Sequence, residues 1–268
     1  MNVVIITGAS DGIGAELARQ LAQEQGSKLT LVLAARSADK LEAVAQQCRQ
    51  LGTRVKVRPT DVGVEADCRA LIADTVQTFG QLDALVNNAG MSAHALLEDV
   101  TDLGWYEQLM RINLWGSVWC THAALPHLKA SKGRIVAVSS LAGLVGVPGR
   151  TAYSATKFAM NGFFEALRVE LAPHGVSVTL AYPGVVATEI RYRGFNAQGQ
   201  AAGKSGLDES GAMTVAECAG LIREGMARRE RDIVMSFKGK LSRWMKLLAP
   251  TLVDRLALKA LNKDVHPH

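Results

Sequence analysis

Short apolar segments alternate with segments of helical periodicity along almost the whole chain, and this alternation is what most constrains the fold. Apolar segments of strand length occupy residues 3–7, 29–35, 54–58, 83–86, 134–138, 176–181 and 232–235. Helical periodicity occupies residues 13–25, 39–51, 65–79, 102–130, 153–173 and 214–228. Strands that are apolar almost throughout are typical of a sheet covered on both faces. The pattern therefore predicts an α/β fold with a doubly wound parallel sheet.

Three glycines follow the first predicted strand at once. Gly8, Gly12 and Gly14 have the spacing G-x-x-x-G-x-G, and the first predicted helix begins among them. Glycine lets the backbone turn tightly and approach a phosphate closely, and a helix N-terminus presents free N–H groups to an anion. This position, at the start of a β-α-β unit, indicates a dinucleotide-binding site.

The end of the second predicted strand bears on which dinucleotide is bound. It has the sequence Ala34-Ala35-Arg36-Ser37, without the acidic residue that would hold the ribose 2′-hydroxyl of NAD. Arg36 offers a bidentate partner for a 2′-phosphate, and Ser37 can donate a hydrogen bond to it. The sequence therefore predicts NADP(H) in preference to NAD(H).

Tyr153 and Lys157 lie four residues apart at the start of a predicted helix, so their side chains are expected on one face. A phenol has a pKa of about 10 and transfers protons poorly near neutrality. A nearby ammonium favours the phenolate and lowers that pKa. The pair is therefore a candidate general acid/base for an alcohol or a carbonyl.

Four motifs, in order, resemble those of the short-chain dehydrogenase/reductase family over roughly residues 3 to 236. They are Thr7 to Gly14, Asn87-Asn88-Ala89-Gly90, Ser140 with Tyr153-x-x-x-Lys157, and Pro183-Gly184 with Thr188. The resemblance implies a Rossmann fold built on a seven-stranded parallel sheet, and hydride transfer to or from a nicotinamide. One position departs from the family pattern. Many NADP-preferring members carry a basic residue just before the second motif glycine, where this chain has Asp11.

The resemblance also implies roles for individual residues. Tyr153 is the implied proton donor or acceptor, and Lys157 lowers its pKa and binds the nicotinamide ribose. Ser140 holds the substrate oxygen, and Asn113 resembles a fourth catalytic residue that anchors a water in a proton relay. The expected cofactor-binding residues come from the glycine turn, from the end of the second predicted strand and from the other motifs. They are Thr7, Gly8, Ser10, Gly12, Ile13, Gly14, Arg36, Ser37, Asp61, Val62, Asn87, Ala89, Gly90, Tyr153, Lys157, Pro183, Gly184, Val186 and Thr188.

These residues predict an NADP(H)-dependent oxidoreductase of the carbonyl reductase type. It would transfer hydride between the nicotinamide and a carbonyl or secondary alcohol. The alternative is a non-catalytic NADP-binding sensor or scaffold on the same fold, which would be expected to lose the tyrosine or the lysine. This chain keeps both.

The loops beyond the strand ends are expected to form the substrate pocket. Their candidate lining residues are Ser92, His94, Leu96, residues 141–148 and residues 189–211. The apolar residues among 141–148 favour a hydrophobic ketone or alcohol, although they could equally pack the loop itself. Gly, Ala, Gln and Ser dominate residues 189–212, which predicts a mobile loop there.

Composition argues against several other classes of protein. The chain of 268 residues is 48% hydrophobic and 21% charged, which is ordinary for a globular protein. Its four cysteines form no C-x-x-C pair, so we expect reduced thiols and neither a disulfide framework nor a metal site. The first strand begins at Val3, which leaves no room for a signal peptide, so a cytoplasmic protein is expected.

Positive charge is concentrated near the C-terminus. Residues 223–263 hold eleven Lys or Arg and four Asp or Glu. Within them, apolar residues recur with helical period at Leu241, Trp244, Met245 and Leu248, until Pro250 interrupts the pattern. Residues 238–268 are therefore predicted to be a basic amphipathic helical extension of a domain spanning residues 1–237.

Three partners are open for this extension. Residues 238–262 could lie peripherally on an anionic membrane surface, cover the substrate pocket, or pack against a second subunit. No nucleic-acid partner is predicted, because the tail offers one aromatic residue, Trp244, and no recognised binding module. The family resemblance implies a small-molecule carbonyl or alcohol substrate and a homodimer or homotetramer.

Overall fold

A single parallel sheet of seven strands forms the centre of the protein. The structure is a computed structural model that describes residues 2–203, 205 and 211–265. The strands are β1 (Asn2–Thr7), β2 (Leu29–Ala35), β3 (Arg54–Pro59), β4 (Ala84–Asn87), β5 (Arg134–Val138), β6 (Ser177–Tyr182) and β7 (Asp232–Val234). Their order across the sheet is β3-β2-β1-β4-β5-β6-β7. The predicted doubly wound, seven-stranded fold is confirmed.

Helices connect these strands. They are α1 (Gly12–Gln25), α2 (Ala38–Gln50), α3 (Glu65–Phe79), α4 (Gly104–Met110), α5 (Gly116–Ser131), α6 (Thr151–Leu171), α7 (Val215–Ala227), α8 (Phe237–Leu248) and α9 (Pro250–Val265). The segment predicted as one helix over residues 102–130 is interrupted, because a π-helical turn at Arg111–Trp115 separates α4 from α5. Apolar periodicity did not reveal this turn.

Each face of the sheet has its own hydrophobic core. On one face α1, α2 and α7 pack through residues such as Leu17, Leu41 and Ile222. On the other face α3, α5 and α6 pack through residues such as Leu71, Leu128 and Phe164. Successive strand residues point to opposite faces, so Ile5 and Ile6 of β1 enter different cores although both are fully buried. This explains why the strands are apolar almost throughout.

The strand order reverses at β1. The chain runs outward from β1 through β2 to β3, and then returns to the opposite side of β1 as β4. The connections that leave β1 and β4 therefore diverge and open a crevice at the carboxyl ends of the strands. Ligands of open α/β sheets bind at such a switch point.

The described part of the predicted mobile loop is fastened to the body. The amide of Phe195 donates to the Ser92 carbonyl at 3.0 Å, and the amide of His94 donates to the Phe195 carbonyl at 2.9 Å. The Phe195 ring packs 5.6 Å from the Trp105 ring, centroid to centroid. Residues 189–203 thus form one wall of the crevice, while residues 204 and 206–210 lie outside the described residues.

The C-terminal segment is helical, as the sequence predicts. The Ser236 hydroxyl caps α8 by accepting from the Gly239 amide at 3.0 Å. Arg243 pairs with Asp232 of β7 at 3.0 Å, and the Lys246 ammonium donates to the Leu144 carbonyl at 3.0 Å. Within the described residues, no helix has the length and apolar character that crossing a bilayer requires.

Candidate active site

A cavity of about 880 Å³ occupies the crevice at the carboxyl ends of the strands. This volume lies within the range of roughly 300–1,000 Å³ that is usual for small-molecule and cofactor sites. Most of the predicted site residues line it. They are Gly8, Ser10, Gly12, Ile13, Arg36, Ser37, Asp61, Val62, Ala89, Gly90, Ser140, Tyr153, Lys157, Pro183, Gly184, Val186 and Thr188.

The glycine turn needs its glycines for space and for conformation. Gly8 has φ +66°, and a Cβ there would lie 2.8 Å from Cα of Ala89. A Cβ on Gly14 would overlap the carbonyl oxygen of Gly8 and lie 2.5 Å from Nδ2 of Asn88. Gly14 does not itself line the cavity. Its role in the structure is to let the first turn of α1 pack directly on the turn that precedes it.

Two polar side chains fasten this turn to the end of β4. The Thr7 hydroxyl donates to the Val86 carbonyl at 3.2 Å and accepts from the amides of Asn88 and Ala89, both at 3.0 Å. The Asn88 amide group donates to the carbonyls of Thr7 and Gly8, at 2.9 and 3.2 Å. Thr7 therefore holds the turn from behind rather than from the cavity side.

The Asn87 side chain points away from the cavity, so cofactor binding by Asn87 stays a prediction. Its Nδ2 donates to the Thr121 hydroxyl at 2.9 Å, inside the protein, while its neighbour Asn88 lines the cavity. Adjacent residues of an extended chain point to opposite sides, so only one member of the Asn-Asn pair can face the glycine turn. Asn88 is thus a site residue that the sequence analysis missed.

The end of the cavity near β2 carries positive charge. Arg36 and Ser37 line it, and so does Lys40, one helical turn further along in α2. Arg36 and Lys40 are exposed. Lys40 was not among the predicted residues. Its spacing of four residues from Arg36 was the available signal, because α2 begins at Ala38 and brings Lys40 back toward the strand end.

Asp11, which stands where many NADP-preferring family members have a basic residue, is paired with an arginine. Asp11 forms an ion pair with Arg193 at 2.7 Å, between the glycine turn and the wall formed by residues 189–203. The negative charge of Asp11 is thereby balanced by Arg193. Nearby, a Cβ on Gly12 would lie 3.4 Å from Cγ2 of Thr188, so the two walls of the cavity approach each other closely at this point.

Asp61 and Val62 form the wall beyond β3. The Asp61 carboxylate accepts from the Gly63 amide at 2.9 Å, which shapes the turn, and Val62 is buried. On the opposite side, the Pro183 carbonyl accepts from the Leu141 amide at 2.9 Å. This bond joins the segment after β6 to the segment after β5, which carries the catalytic serine candidate.

The first turn of α6 brings Tyr153 and Lys157 together on its buried face, with exposures of 9% and 4%. The Lys157 ammonium lies 5.7 Å from the Tyr153 ring centroid and donates to the Val138 carbonyl at 2.9 Å. Burial alone would raise the pKa of the Tyr153 phenol. The charges of Lys157, Arg150 and Arg191, with a hydrogen bond from Ser140, outweigh burial and lower that pKa.

Burial acts in the opposite sense on Lys157. It lowers the pKa of the ammonium, the nearby phenol raises it, and the like charge of Arg150 lowers it further. The net direction is downward. The ammonium thus lowers the pKa of the phenol, and the phenol raises the pKa of the ammonium, as expected of a proton-transfer pair.

The two hydroxyls of the serine pair have different partners. The Ser139 hydroxyl donates to Oδ1 of Asn161 at 2.6 Å and is engaged inside the protein. Ser140 begins a 3₁₀ turn, where its hydroxyl accepts from the Ala142 amide at 3.2 Å. Ser140 lines the same cavity as Tyr153 and Lys157, and its hydroxyl favours a lower pKa of the Tyr153 phenol. Ser140 is therefore the serine that faces the reaction centre.

Asn113 lies behind the cavity rather than in its wall. It sits in the π-helical turn and is fully buried. Its side chain accepts from the Met91 amide at 2.8 Å and donates to the Met91 carbonyl and the Thr156 hydroxyl, both at 3.0 Å. All the hydrogen-bonding groups of its amide are in use. The side chain thus anchors the 90–92 segment to α6, and the water relay stays a prediction.

An arginine that the sequence analysis did not select also reaches the reaction centre. Arg150 precedes α6 and lines the cavity. Its Cζ lies 4.2 Å from the Tyr153 ring centroid. Arg191 lines the cavity as well, and Nη1 of Arg191 donates to the Val186 carbonyl at 3.0 Å.

The remaining wall is mainly apolar. It is formed by Met91, Leu141, Ala142, Val147, Val185 and Ile190. Of the predicted pocket residues, Ser92 lines the cavity, whereas His94 and Leu96 do not. Leu144 packs against the core on the α3, α5 and α6 face. Both interpretations of residues 141–148 thus hold, each for part of the segment.

The residues of the cavity fit a dinucleotide. Gly8 and Gly12 line the cavity with positive φ, and the free N–H groups of α1 begin at Gly12. Arg36 and Lys40 supply positive charge at the end of the cavity near β2. Among the residues that the structure describes, no group of three or more His, Cys, Asp or Glu side chains could hold a metal ion.

Comparison with known proteins agrees with this geometry. The family model described as short chain dehydrogenase matches residues 2–198. The chain is 40% identical over 255 residues to an Arabidopsis thaliana protein named 11-beta-hydroxysteroid dehydrogenase-like 4A, covering 94% of this chain and 82% of the relative. It is 37% identical over 258 residues to 11-beta-hydroxysteroid dehydrogenase A of Sesamum indicum, covering 94% and 73%.

Solved structures give the same result. A short-chain dehydrogenase from Sphingobium yanoikuyae, in complex with NADPH, superposes with a TM-score of 0.79 at 29% identity and covers 94% of each chain. An alcohol dehydrogenase from Thermococcus sibiricus, complexed with 5-hydroxy-NADP, superposes with a TM-score of 0.75 at 27% identity, covering 87% and 94%. The chain therefore belongs to the short-chain dehydrogenase family and is an oxidoreductase of that family.

Proposed function

We propose that the protein is an NADP(H)-dependent oxidoreductase that interconverts an apolar ketone and the corresponding secondary alcohol. The observation that carries the proposal is the arrangement around Tyr153. Its phenol is buried near the Lys157 ammonium, in the same cavity as the Ser140 hydroxyl and the glycine turn. A phenol with a lowered pKa next to a dinucleotide site is suited to proton transfer at a carbonyl oxygen.

In the reductive direction, the bound nicotinamide would supply hydride to the carbonyl carbon. Negative charge then grows on the carbonyl oxygen, and the hydroxyls of Ser140 and Tyr153 donate hydrogen bonds to it, as an oxyanion hole does. Tyr153 gives its proton to that oxygen, and the positive charge of Lys157 stabilises the phenolate that remains. In the oxidative direction, the same phenolate accepts the proton of the alcohol.

The proposed preference for NADP(H) rests on charge near β2. Arg36 and Lys40 line this end of the cavity, no acidic residue ends the strand, and Asp11 is paired with Arg193. Three solved relatives at 27–29% identity were determined with NADP, NADPH or 5-hydroxy-NADP bound, which supports the same preference.

Replacing Arg36 is expected to change cofactor preference. Arg36→Leu removes one charged hydrogen-bond donor to a 2′-phosphate, and such a bond is worth about 1.5–3 kcal/mol. We expect kcat/KM for NADPH to fall roughly 10- to 100-fold and kcat/KM for NADH to stay within about twofold. The measurement is nicotinamide oxidation, with each cofactor, in the presence of a panel of apolar ketones.

The matched control is Arg69→Leu on α3, which removes an exposed arginine that pairs with Glu65 on the same helix. It should leave both values unchanged. Equal loss with NADPH and NADH in Arg36→Leu would contradict the assignment of the 2′-phosphate site.

The proposed substrate class follows from the apolar wall and from the relatives. Met91, Leu141, Val147 and Ile190 present apolar surface in the same cavity as Tyr153, and Met91 and Val147 pack in the same cluster as its ring. Several relatives at 37–40% identity are named 11-beta-hydroxysteroid dehydrogenases or are described as similar to them. The ketone panel should therefore contain steroid ketones and long-chain ketones as well as small aliphatic ones. Tight NADPH binding without turnover of any of them would favour the sensor or scaffold alternative.

We further propose that residues 238–262, in the extension that follows the domain at 1–237, touch a membrane surface peripherally. Four apolar side chains of α8 are more than half exposed, namely Phe237 (79%), Trp244 (64%), Leu247 (71%) and Leu248 (83%). Arg243 and Lys246 are engaged with Asp232 and the Leu144 carbonyl. Among the side chains of this segment that the structure describes, Lys240, Arg255 and Lys259 are further exposed cations. Apolar and basic surface together favour an anionic lipid surface.

Removing apolar surface from α8 is expected to weaken binding to vesicles. The double variant Trp244→Glu, Leu248→Glu should bind vesicles of phosphatidylserine and phosphatidylcholine at least about tenfold more weakly than the unmodified protein, as judged by co-sedimentation. Val169→Glu on α6, where the side chain is 70% exposed, is the matched control and should bind normally. Equal binding by all three proteins, or by none, would argue against membrane contact.

A cytoplasmic location and a homodimer or homotetramer remain proposals. The family resemblance supports the assembly, and sedimentation velocity would distinguish both states from a monomer. Cell fractionation with and without the α8 substitutions would test the location.

A further inference from the structure

A guanidinium lies against the ring of the proposed proton donor. The Arg150 Cζ is 4.2 Å from the Tyr153 ring centroid, well inside the distance of about 6 Å within which a cation is attracted by an aromatic face. The Lys157 ammonium is further away, at 5.7 Å from the same centroid. The ring of Tyr153 thus has two cations close to it, and only one of them belongs to the Tyr-x-x-x-Lys motif.

Arg150 is held in place by the segment that forms the cavity wall after β4. Its Nη2 donates to the Ser92 hydroxyl at 2.6 Å, and its Nε donates to the Ala93 carbonyl at 3.3 Å. The backbone reinforces this contact, because the Ala95 amide donates to the Gly149 carbonyl at 2.7 Å. The planar, forked guanidinium suits two hydrogen bonds and a stacked ring at once.

The charge of Arg150 is not balanced by a carboxylate of the described residues. The Tyr153 phenol is an ionisable neighbour of Arg150, and the two favour each other's charged form. The other groups that face the phenol are Lys157 on the same helix, Arg191 after β6, and the Ser140 hydroxyl after β5. A phenolate attracts a cation over its ring more strongly than a neutral phenol does. Arg150 should therefore stabilise the phenolate selectively.

We propose that Arg150 is a positioning residue that fixes the Tyr153 ring against the 92–95 segment and favours its phenolate, so that two cations and not Lys157 alone set the pH range of proton transfer. The proposal rests on the proposed function only in naming Tyr153 as the proton-transfer group. Arg150 also connects the proton donor to a wall of the cavity, because it contacts the Tyr153 ring and donates to Ser92, which lines the cavity.

The test uses Arg150→Gln, which removes the charge, and Arg150→Lys, which keeps it. Arg54→Gln is the matched control, because the Arg54 guanidinium also lies over a ring, that of Phe79 at 4.8 Å, away from the cavity. The first measurement is the pH dependence of NADP⁺-dependent alcohol oxidation. The second is a titration of tyrosinate absorbance in the intact protein, with the same titration of Tyr153→Phe subtracted.

In Arg150→Gln, the rise of the oxidation rate with pH should move to higher pH, because the phenolate loses a stabilising charge. At a fixed pH on the acidic side of that rise, oxidation should be roughly three- to tenfold slower. Reduction, which needs the protonated phenol, should stay active to higher pH than in the unmodified enzyme. Arg150→Lys should titrate close to the unmodified protein, and Arg54→Gln should be indistinguishable from it.

Two results would overturn the proposal. One is an unchanged tyrosinate titration in Arg150→Gln, in a protein that melts cooperatively. The other is an equal, pH-independent loss of rate in Arg150→Gln and Arg150→Lys, which would mean that the arginine only supports the fold. Because the titration needs no substrate, a shifted titration without any turnover would uphold the role of Arg150 while the proposed function failed.

Discussion

Replacing Tyr153 by phenylalanine should lower the turnover number by about 10²–10⁴-fold, which is the usual range for loss of a general acid or base. The ring can keep its place between Arg150 and Lys157, while the only atom removed is the hydroxyl oxygen that would exchange a proton with the substrate. NADPH affinity should remain within about threefold, because phosphate binding depends on the glycine turn and the charges near β2. Steady-state kinetics and calorimetric titration with NADPH measure the two quantities separately.

Tyr106→Phe is the control for this change. It removes a phenol hydroxyl that forms a hydrogen bond of 2.8 Å with Thr151 of α6, the helix that carries Tyr153. Tyr106 itself does not line the cavity. The turnover number of the Tyr106→Phe variant should stay within about twofold of that of the unmodified enzyme. A Tyr153→Phe enzyme with near-normal turnover would remove the proposed proton donor.

Replacing Gly14 by alanine should lower NADPH affinity by at least about tenfold. The new methyl group would overlap the Gly8 carbonyl and crowd Asn88, so either the glycine turn or the start of α1 has to move. The N–H groups that would bind the pyrophosphate are on those two segments, and each charged hydrogen bond lost is worth about 1.5–3 kcal/mol. Titration of the apoprotein with NADPH measures the loss.

Gly162→Ala is the matched control because Gly162 lies within α6 and a Cβ there meets nothing within 4 Å. Alanine is the better helix former by about 1 kcal/mol, so this variant should bind NADPH normally and melt at the same temperature or higher. If Gly14→Ala bound NADPH as tightly as Gly162→Ala, the direct packing of α1 on the turn would not matter for the cofactor.

The strands and most of the helices could be predicted from the sequence because each is encoded locally. A buried parallel strand is apolar throughout, and its helix covers it with a repeating apolar stripe. The π-helical turn at Arg111–Trp115 escaped prediction for the same reason. It disturbs the backbone hydrogen bonds without breaking the apolar pattern, so periodicity simply continued through it.

Within the site, motifs located segments more reliably than they located side chains. Asn87 and Asn88 belong to one motif, yet only Asn88 faces the glycine turn. The motif does not show which of two adjacent residues at a strand end points toward the cavity. Lys40 lay outside the motif although it is one turn from Arg36. In both cases the segment was located correctly, but the direction of the individual side chains could not be predicted.

Contacts between distant segments could not be predicted at all. Asp11 and Arg193 are far apart in sequence, and only the folded chain shows that they pair across the cavity. Arg150 is only three residues before Tyr153 in the sequence. Its position over the ring nevertheless depends on hydrogen bonds to Ser92 and Ala93. Its importance lies in a contact between loops, which helix periodicity does not describe.

The central claim is that hydride passes from the nicotinamide to a carbonyl carbon while Tyr153 supplies the proton. The most direct measurement uses NADPH that carries deuterium at the transferable position, a ketone from the active part of the panel, and mass spectrometry of the alcohol formed. The unmodified enzyme should place deuterium on the former carbonyl carbon, and Tyr153→Phe should form about 10²–10⁴-fold less of that product in the same time. Alcohol formed without deuterium, or formed equally fast by Tyr153→Phe, would contradict the account.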